Sequence, residues 1–285
     1  MTVDAQGAEV RHLPMYGAGE LTFPVRAFGR DEVLDRETAW AEHSHPTHEL
    51  VWHDIGSGMV RTGQRLWTIA GRVALWIPAG VPHSGRAHAG ARQRAVHFTV
   101  DTPALADSPV TVKLTPLLAL LIDRLMTDEL SGGSYRLTER MILDVISPSV
   151  HQLVLEVPTS PLVGPIVDRM RSDPRDQTTL SVWASRLGVS TKTVTRTFES
   201  ETGLGFSRWT AMARATHAVA MLGAGLDIAE VAEGVGYRST SAFITAFRRT
   251  TGMTPGQFRG HAEGLALTVT GAAPVPMSES RSGMS

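Results

Sequence analysis

Between Leu180 and Phe258 apolar residues recur at helical spacing, and they do so twice. Leu180, Trp183, Ala184 and Leu187 fall at i, i+3, i+4 and i+7, as do Ile228, Val231, Ala232 and Val235, so each set draws one apolar stripe along a helix. Each stripe ends at a glycine, Gly188 or Gly236, which can take the left-handed backbone that terminates a helix. The small Ala184 and Ala232 let a second helix approach closely. Ser190 and Ser239 then stand as N-caps of second helices, with Val194 and Phe198 on the first inner face and Ala242, Phe243, Ala246 and Phe247 on the second. Phe198 precedes Thr202-Gly203 as Phe247 precedes Thr251-Gly252. A helical pattern from Trp209 to Leu222 joins the copies, which lie about 48 residues apart. The pattern predicts two helix-turn-helix units on one rigid spacer.

The first half has a different rhythm. Short apolar segments, LVWHDI, RLWTI, VALWIP and RAVHFTV, alternate with turn signals at Gly56, Gly58, Gly63, Gly71, Gly80 and Gly90. Many short strands at close spacing predict a small β-barrel or jelly roll up to about Val100. Thr115–Leu130 and Tyr135–Val157 then read as helices separated by an SGGS turn, the second interrupted or kinked at Pro148. Leu117, Leu118, Leu121, Leu125 and Met126 share most of one face, which either packs on the barrel or meets a second copy. PTSPLVGP, Pro158 to Pro165, reads as a linker, and the Gly, Ser, Pro and Ala-rich tail after about Gly264 reads as disordered.

Composition narrows the class. The chain of 285 residues is long enough for two domains with real cores. The absence of cysteine removes disulfides, thiolate catalysis, zinc fingers and cysteine-based redox sensing together. The longest apolar run, Leu117 to Ile122, stops at Asp123, far short of a membrane span. The first residues lack the basic and apolar regions of a signal peptide, so a cytoplasmic protein is expected. The net charge of −1 hides an asymmetry: residues 1–161 hold 14 Lys+Arg against 18 Asp+Glu, a net of −4, and residues 162–261 hold 12 against 8, a net of +4. The basic half is the half with the repeated helices.

Those helices present hydroxyls and cations. Ser190, Thr191, Lys192, Thr193, Thr195 and Arg196 belong to the first copy, and Arg238, Ser239, Thr240, Ser241, Thr245, Arg248 and Arg249 to the second. Such groups reach phosphates and base edges, so double-stranded DNA is the expected partner. Base reading is expected to lean on the first helix and phosphate anchoring on the second. In the other half, seven of the eleven histidines lie between His43 and His97. His43, His45 and Glu49 form an HxHxxxE run, and Pro78, Gly80 and His83 form PxGxxH. Residues at i and i+2 on a strand point the same way, so these four side chains are a candidate N/O site for a divalent transition metal. The alternative is that they line a pocket or satisfy turn backbones. His48, His53, His88 and His97 read as pocket-wall or surface residues. Trp52, Trp76 and His97 are candidates for an effector pocket, the tryptophans and Trp67 being otherwise barrel core.

The repeated unit, above all IAEVAEGVGYRSTSAFITAFRRTTGMTPGQFR from Ile228 to Arg259, resembles the C-terminal DNA-binding domain of AraC/XylS-type transcription regulators over roughly Leu162 to His261. The two histidine patterns resemble the two motifs of cupin barrels, which are common as sensor domains in that family. The second motif departs by one extra residue between Gly71 and Pro78, and has Ala87 where an Asn is usual. The resemblance implies an α+β chain: a cupin-like effector-sensing domain at 1–110, a helical dimerisation or linker segment at 111–161, an all-α double helix-turn-helix domain at 162–261 and a tail at 262–285. It implies a sequence-specific regulator without catalytic residues, sensing a small molecule or metal, acting as a homodimer and, where it activates, touching RNA polymerase. Two other classes stand beside it: a cupin-type metal-dependent enzyme with an accessory DNA-binding half, and a nonspecific architectural DNA binder.

Overall fold

Glycine turns divide the N-terminal half into strands: Gly56, Gly63, Gly71, Gly80 and Gly90 all take positive φ, a backbone region open to glycine. The computed structural model describes residues 2–4, 7–23, 27–127, 130–149 and 153–258. Its first strands are β1 (Thr2–Val3), β2 (Glu9–Arg11), β3 (Ala27–Val33), β4 (Thr38–His43), β5 (His48–Ile55) and β6 (Ser57–Thr62). There follow β7 (Arg65–Ala70), β8 (Val73–Ile77), β9 (His83–Ala87), β10 (Arg92–Phe98) and β11 (Val110–Lys113). Helices α1 (Pro116–Thr127) and α2 (Gly132–Val145) precede a last strand, β12 (Val154–Glu156). The rest is helical: α3 (Gly164–Ser172), α4 (Leu180–Arg186), α5 (Thr191–Thr202), α6 (Phe206–Gly223), α7 (Ile228–Gly234) and α8 (Thr240–Thr251). The expected tail at 262–285 and the last residues of the expected DNA-binding domain lie outside the described residues.

The strands form two facing sheets, ordered β1-β2-β4-β9-β6-β7-β12 and β11-β8-β5-β10-β3. Among the described residues these sheets do not close into the expected barrel. The free edge of β7 pairs instead with β12, which returns from beyond the two helices. Sheet edges offer unpaired backbone groups, and a returning segment satisfies them as well as closure does.

Alternation sorts each strand of the five-stranded sheet into two faces. On β5, Glu49, Val51 and His53 face the other sheet, while Trp52 and Asp54 meet the outer layer. That outer layer includes α1, whose Leu118, Ile122 and Leu125 join Leu50, Trp52, Trp76 and Phe98 in one core. Arg94 of β10 binds it down. Its guanidinium meets Asp54 at 3.2 Å, Asp123 of α1 at 2.5 Å and Asp31 at 3.4 Å, and lies 5.1 Å from the Trp52 ring centroid. Leu117 departs from the expected stripe: it is exposed, as Leu120 is, and both point away from this core.

The second linker helix is shorter than its sequence suggests. SGGS does not separate the helices as a free turn, because Ser131 caps α2 by accepting from the Ser134 N–H. The helix stops at Val145, ahead of Pro148, and Val154–Glu156 is strand rather than helix. The segment beyond Pro148 adopts the extended form because β7 offers it a ladder: Val154 faces Trp67, Leu155 faces Leu66 and Glu156 faces Arg65. The linker at Pro158–Pro165 is likewise tied down, as the Glu201 carboxylate accepts from the backbone N–H groups of Thr159 and Ser160.

The C-terminal half builds as its stripes predict. Ser190 and Ser239 cap α5 and α8, accepting from the N–H groups of Thr193 and Ala242. Gly188 and Gly236 take φ of 67° and 81°. Ala242 differs from expectation in being exposed, while Phe243 and Phe247 are buried. Helix α6 lies between two cores. Trp209 and Ala213 pack with Trp183, Val194 and Phe198, and Ala218, Val219 and Leu222 pack with Val231, Phe243 and Phe247.

The two halves dock on each other through β6, β7 and β12. Leu155 of β12 enters the first helical core and Ala70 of β7 enters the second. Trp209 Nε1 donates to the Glu156 carbonyl at 2.7 Å. The C-terminal end of α6 abuts the start of β6: a Cβ on Gly223 would fall 2.6 Å from Ser57 Oγ and 3.1 Å from the Gly56 carbonyl carbon. Gly223→Ala should therefore lower stability in urea unfolding, although helix propensity alone favours alanine by about 0.5–1 kcal/mol. A gain in stability would show that this docking is absent in solution.

Candidate ligand cavity and nucleic-acid interface

The facing sheets flank a part-open cavity of about 60 Å³, room for roughly four to six waters at ~10–15 Å³ each. Trp40, Met59 and Val60 line it from the larger sheet, and Val51, Ile77 and Ala95 from the smaller. His43, His45, Glu49, His83 and His97 gather at one part of its wall.

Each member arrives by a different local route. His43 ends β4 and His83 begins β9, and the two residues pair across those strands. His45 is not on the strand with His43, as the i, i+2 spacing suggested. It follows the strand in the turn before Pro46, yet its ring centroid lies 4.9 Å from that of His43 and 5.2 Å from that of His83. Glu49 of β5 pairs with His97 of β10. The carboxylate stands 3.3 Å from His83 Nε2, 3.6 Å from His45 Nε2 and 3.9 Å from His97 Nε2.

Backbone and hydroxyl groups fix three of these rings. His43 Nδ1 pairs with the Ala41 carbonyl at 2.8 Å, His83 Nδ1 with the Val81 carbonyl at 2.9 Å, and His97 Nδ1 with Thr47 Oγ1 at 3.1 Å. A carbonyl on Nδ1 holds the proton there and leaves the Nε2 lone pair for a ligand. Burial disfavours charge throughout, pushing His45 down to about 4 and His43 and His97 in the same direction. His83 is the exception. Burial pulls it down, but its bond to Glu49 and that carboxylate's charge outweigh burial and raise it. Glu49 moves well below the usual carboxylate range, because the His83 bond and the surrounding imidazoles overcome its burial.

Ligand atoms of His43, His45 and His83 lie within 4.8 Å of one another, and so do those of His45, Glu49 and His97. The four expected ligands therefore do not form one set at that separation; two triads share His45. Opposed ligands on one transition metal stand ~4.2 Å apart at ~2.1 Å per bond, so the donor set and its spacing fit such an ion with small side-chain rotations. His97, expected only as pocket wall, belongs to the cluster. Its register opposite Glu49 brings it there, a relation that strand pairing reveals and sequence spacing does not.

The tryptophans are corrected by strand parity. Trp52 and Trp76 do not line the cavity. Trp52 is three residues from Glu49 on one strand, hence on the opposite face, where its Nε1 donates to Asp54. Trp76 stacks on His48 and packs against Phe98. Trp40, which sequence reasoning passed over, supplies the aromatic wall. Trp67 is buried and donates to Thr62. Gly58 is not a turn residue but sits inside β6, because the His53 ring occupies the space of its missing side chain.

Helices α5 and α8 present the other candidate surface. Thr191, Lys192, Thr193, Arg196, Arg238, Ser241, Thr245, Arg248 and Arg249 are exposed, with Thr195 and Thr240 half-buried. None of the five cations forms an ion pair within 4 Å among the described residues, whereas Arg86, Arg92 and Arg94 of the sheets are all paired. The helices are not equivalent. Counted from their caps, Glu199 stands on α5 where Arg248 stands on α8, so only the N-terminal half of α5 is free of acidic charge.

A sheet-walled cavity docked against paired helix-turn-helix units with unpaired cations defines a DNA-binding regulator carrying a ligand-binding domain. The family model of an AraC-like ligand-binding domain matches residues 34–140, and that of a helix-turn-helix domain matches residues 183–261. The chain belongs to the AraC family of DNA-binding transcription regulators, and it is a regulator rather than an enzyme. It is 29% identical to the HTH-type transcriptional regulator NimR of Escherichia coli over 246 residues, 85% of this chain and 84% of that protein. It is 29% identical to the regulator RipA of Corynebacterium glutamicum over 73% of this chain and 61% of that protein. Among solved structures, the C-terminal domain of AraT, a response regulator from Geobacillus stearothermophilus, is 31% identical, covering 35% of this chain and 85% of that one with a TM-score of 0.33. No described helix is long and apolar enough to cross a membrane.

Proposed function

We propose that this regulator reads promoter DNA with α5 and α8, and that a small molecule held between the two sheets sets how well it does so. The observation that carries the reading is the position of α6. One end of that helix anchors α5, its middle and far end anchor α7 and α8, and its last residue bears on Ser57 at the start of β6, the strand whose Met59 and Val60 line the cavity. A ligand that fits one arrangement of β6 better than another shifts the orientation of both reading helices. At ~1.5 Å per residue α6 is about 27 Å long, a rod on the scale of the ~34 Å repeat of the major groove.

The two helices divide the work. Thr191, Lys192, Thr195 and Arg196 open α5, where base edges are reached, while Glu199 keeps its second half away from phosphates. Ser190 and Ser239 already serve as caps and Thr245 donates to the Ser241 carbonyl, so their hydroxyls are secondary DNA contacts, as Thr193 is. Arg248 and Arg249 in the last turn of α8, with Arg238, Thr240 and Ser241, anchor the backbone. Arg196→Ala should cost about 1–3 kcal/mol at particular base pairs. Arg248→Ala should weaken all sequences alike and flatten the salt dependence. Competition binding measures both, and unchanged affinity for the preferred site in the double variant contradicts the assignment.

The His/Glu cluster fits a divalent transition metal, held by His45 and Glu49 with His43, His83 and His97. Such an ion would supply a Lewis-acidic point for a donor atom of the effector. Elemental analysis should find about one ion per chain in protein purified without chelator, and His83→Ala should reduce it. Metal-supplemented protein that retains none contradicts the site and leaves the histidines as pocket wall.

Helices α1 and α2 expose Leu117, Leu120, Leu137 and Met141, at 50%, 59%, 60% and 41% of their surface. We assign this apolar face to a homodimer, with the units 1–110, 111–161 and 162–261 acting as sensor, dimer and linker segment, and DNA-binding domain. The site of action is cytoplasmic, with RNA polymerase a further partner where the regulator activates. Leu120→Glu with Leu137→Glu should halve the mass seen by light scattering at micromolar protein. A wild-type monomer whose mass does not change with concentration contradicts the dimer.

A further inference from the structure

The cavity has a second polar end, away from the His/Glu cluster, that no described residue satisfies. Strands β5 and β10 pair so that Glu49 meets His97, Val51 meets Ala95 and His53 meets Gln93. All six line the cavity. The wall therefore reads polar, apolar, polar over about 13 Å, because alternate strand residues advance by ~6.7 Å. The first polar pair is engaged by His45 and His83. The last pair is not engaged. His53 is 3% exposed, and both of its ring nitrogens, with Oε1 of Gln93, are buried without a hydrogen-bond partner. A buried polar atom left unpaired costs roughly 1–3 kcal/mol, and three such atoms here belong to two residues that line one cavity.

We propose that His53 and Gln93 form a recognition subsite for a small uncharged molecule that presents an N–H or O–H donor beside an acceptor. The proposal rests on the reading of the cavity as the effector site. A neutral imidazole offers one donor and one acceptor, and Gln93 Oε1 requires a donor. Burial keeps His53 neutral, with its pKa pushed down to about 4 by desolvation first and nearby His88 second. Burial penalises a charge on the ligand, because the neutral imidazole and the Gln93 amide supply no counter-charge and Arg86 on the same cavity is already paired with Asp4 and Glu37. The volume of about 60 Å³ restricts the occupant to a few heavy atoms, with Val51 and Ala95 against its apolar part.

The same subsite has a direct path to the DNA-binding half. The His53 ring packs so closely on Gly58 that a Cβ there would collide with its Nε2. Gly58 follows Ser57, the residue against which Gly223 of α6 rests. A ligand that turns His53 presses on the strand carrying α6.

Propionamide, propionate and propylammonium match in size and differ in charge, so they are the probes for NMR titration of the full chain. Propionamide should bind the wild type about tenfold more tightly than either ion. It should bind His53→Leu about tenfold more weakly, while His53→Gln, which keeps a donor and an acceptor, should stay within about threefold of wild type. Gln93→Leu provides a second variant if His53→Leu does not fold, with the same loss expected. Equal binding to the leucine variant, preference for an ion, or no propionamide binding would each overturn the subsite. Promoter binding measured in parallel separates the two readings. Propionamide that binds through His53 without altering DNA affinity supports the subsite and removes the effector role, whereas intact DNA specificity with no propionamide binding overturns the subsite alone.

Discussion

Strand parity on β5 is the constraint from which the sensor domain follows. Both faces of this strand are buried, so each residue has one environment available, and a slip of one place would exchange them all. Glu49, Val51 and His53 make the cavity wall. Trp52 and Asp54 make the seat for Arg94 and, through Asp123, for α1. A buried guanidinium must be paired to be tolerated, and three carboxylates from β3, β5 and α1 converge on this one. Arg94 thus fixes register and helix position together, and leaves the opposite face free for chemistry.

The second structural consequence is that sensor and DNA-binding half are not beads on a flexible string. Strand β12 belongs to the larger sheet by its ladder and to the first helical core by Leu155. Helix α6 takes a hydrogen-bond acceptor from that strand through Trp209 and meets β6 at its other end. Strand β6, which lends Met59 and Val60 to the cavity wall, is therefore in direct contact with the helix that carries α5 and α8. Coupling between sites then needs no long relay, and linkage requires it to run both ways.

How much of this was legible depended on whether a feature is local. The two helix-turn-helix units are written in helical periodicity, capping serines and terminating glycines, all short-range signals, and Ser190, Gly188, Phe198 and their counterparts occupy the expected positions. The His43, His45, Glu49 and His83 set was visible as motif spacing. His97 was not, because only the pairing of β5 with β10 brings it beside Glu49. Parity was available for Trp52, since an odd separation from Glu49 on one strand places the two on opposite faces. Strand β12 was hidden for another reason: Leu153 to Val157 suits helix or strand, and the open edge of β7 decides. The contact of Gly223 with Ser57 joins residues far apart in sequence and leaves no local trace.

The central claim is that the cavity wall and the reading helices form one coupled unit. Hydrogen exchange of the full chain, with and without a duplex selected from random DNA by the protein itself, tests it most directly. If the two are coupled, DNA bound at the proposed surface of α5 and α8 changes the exchange of amides in β6 and β7 around Met59, Val60 and Ala70. Protection confined to α4–α8, with the cavity wall unchanged, would contradict it.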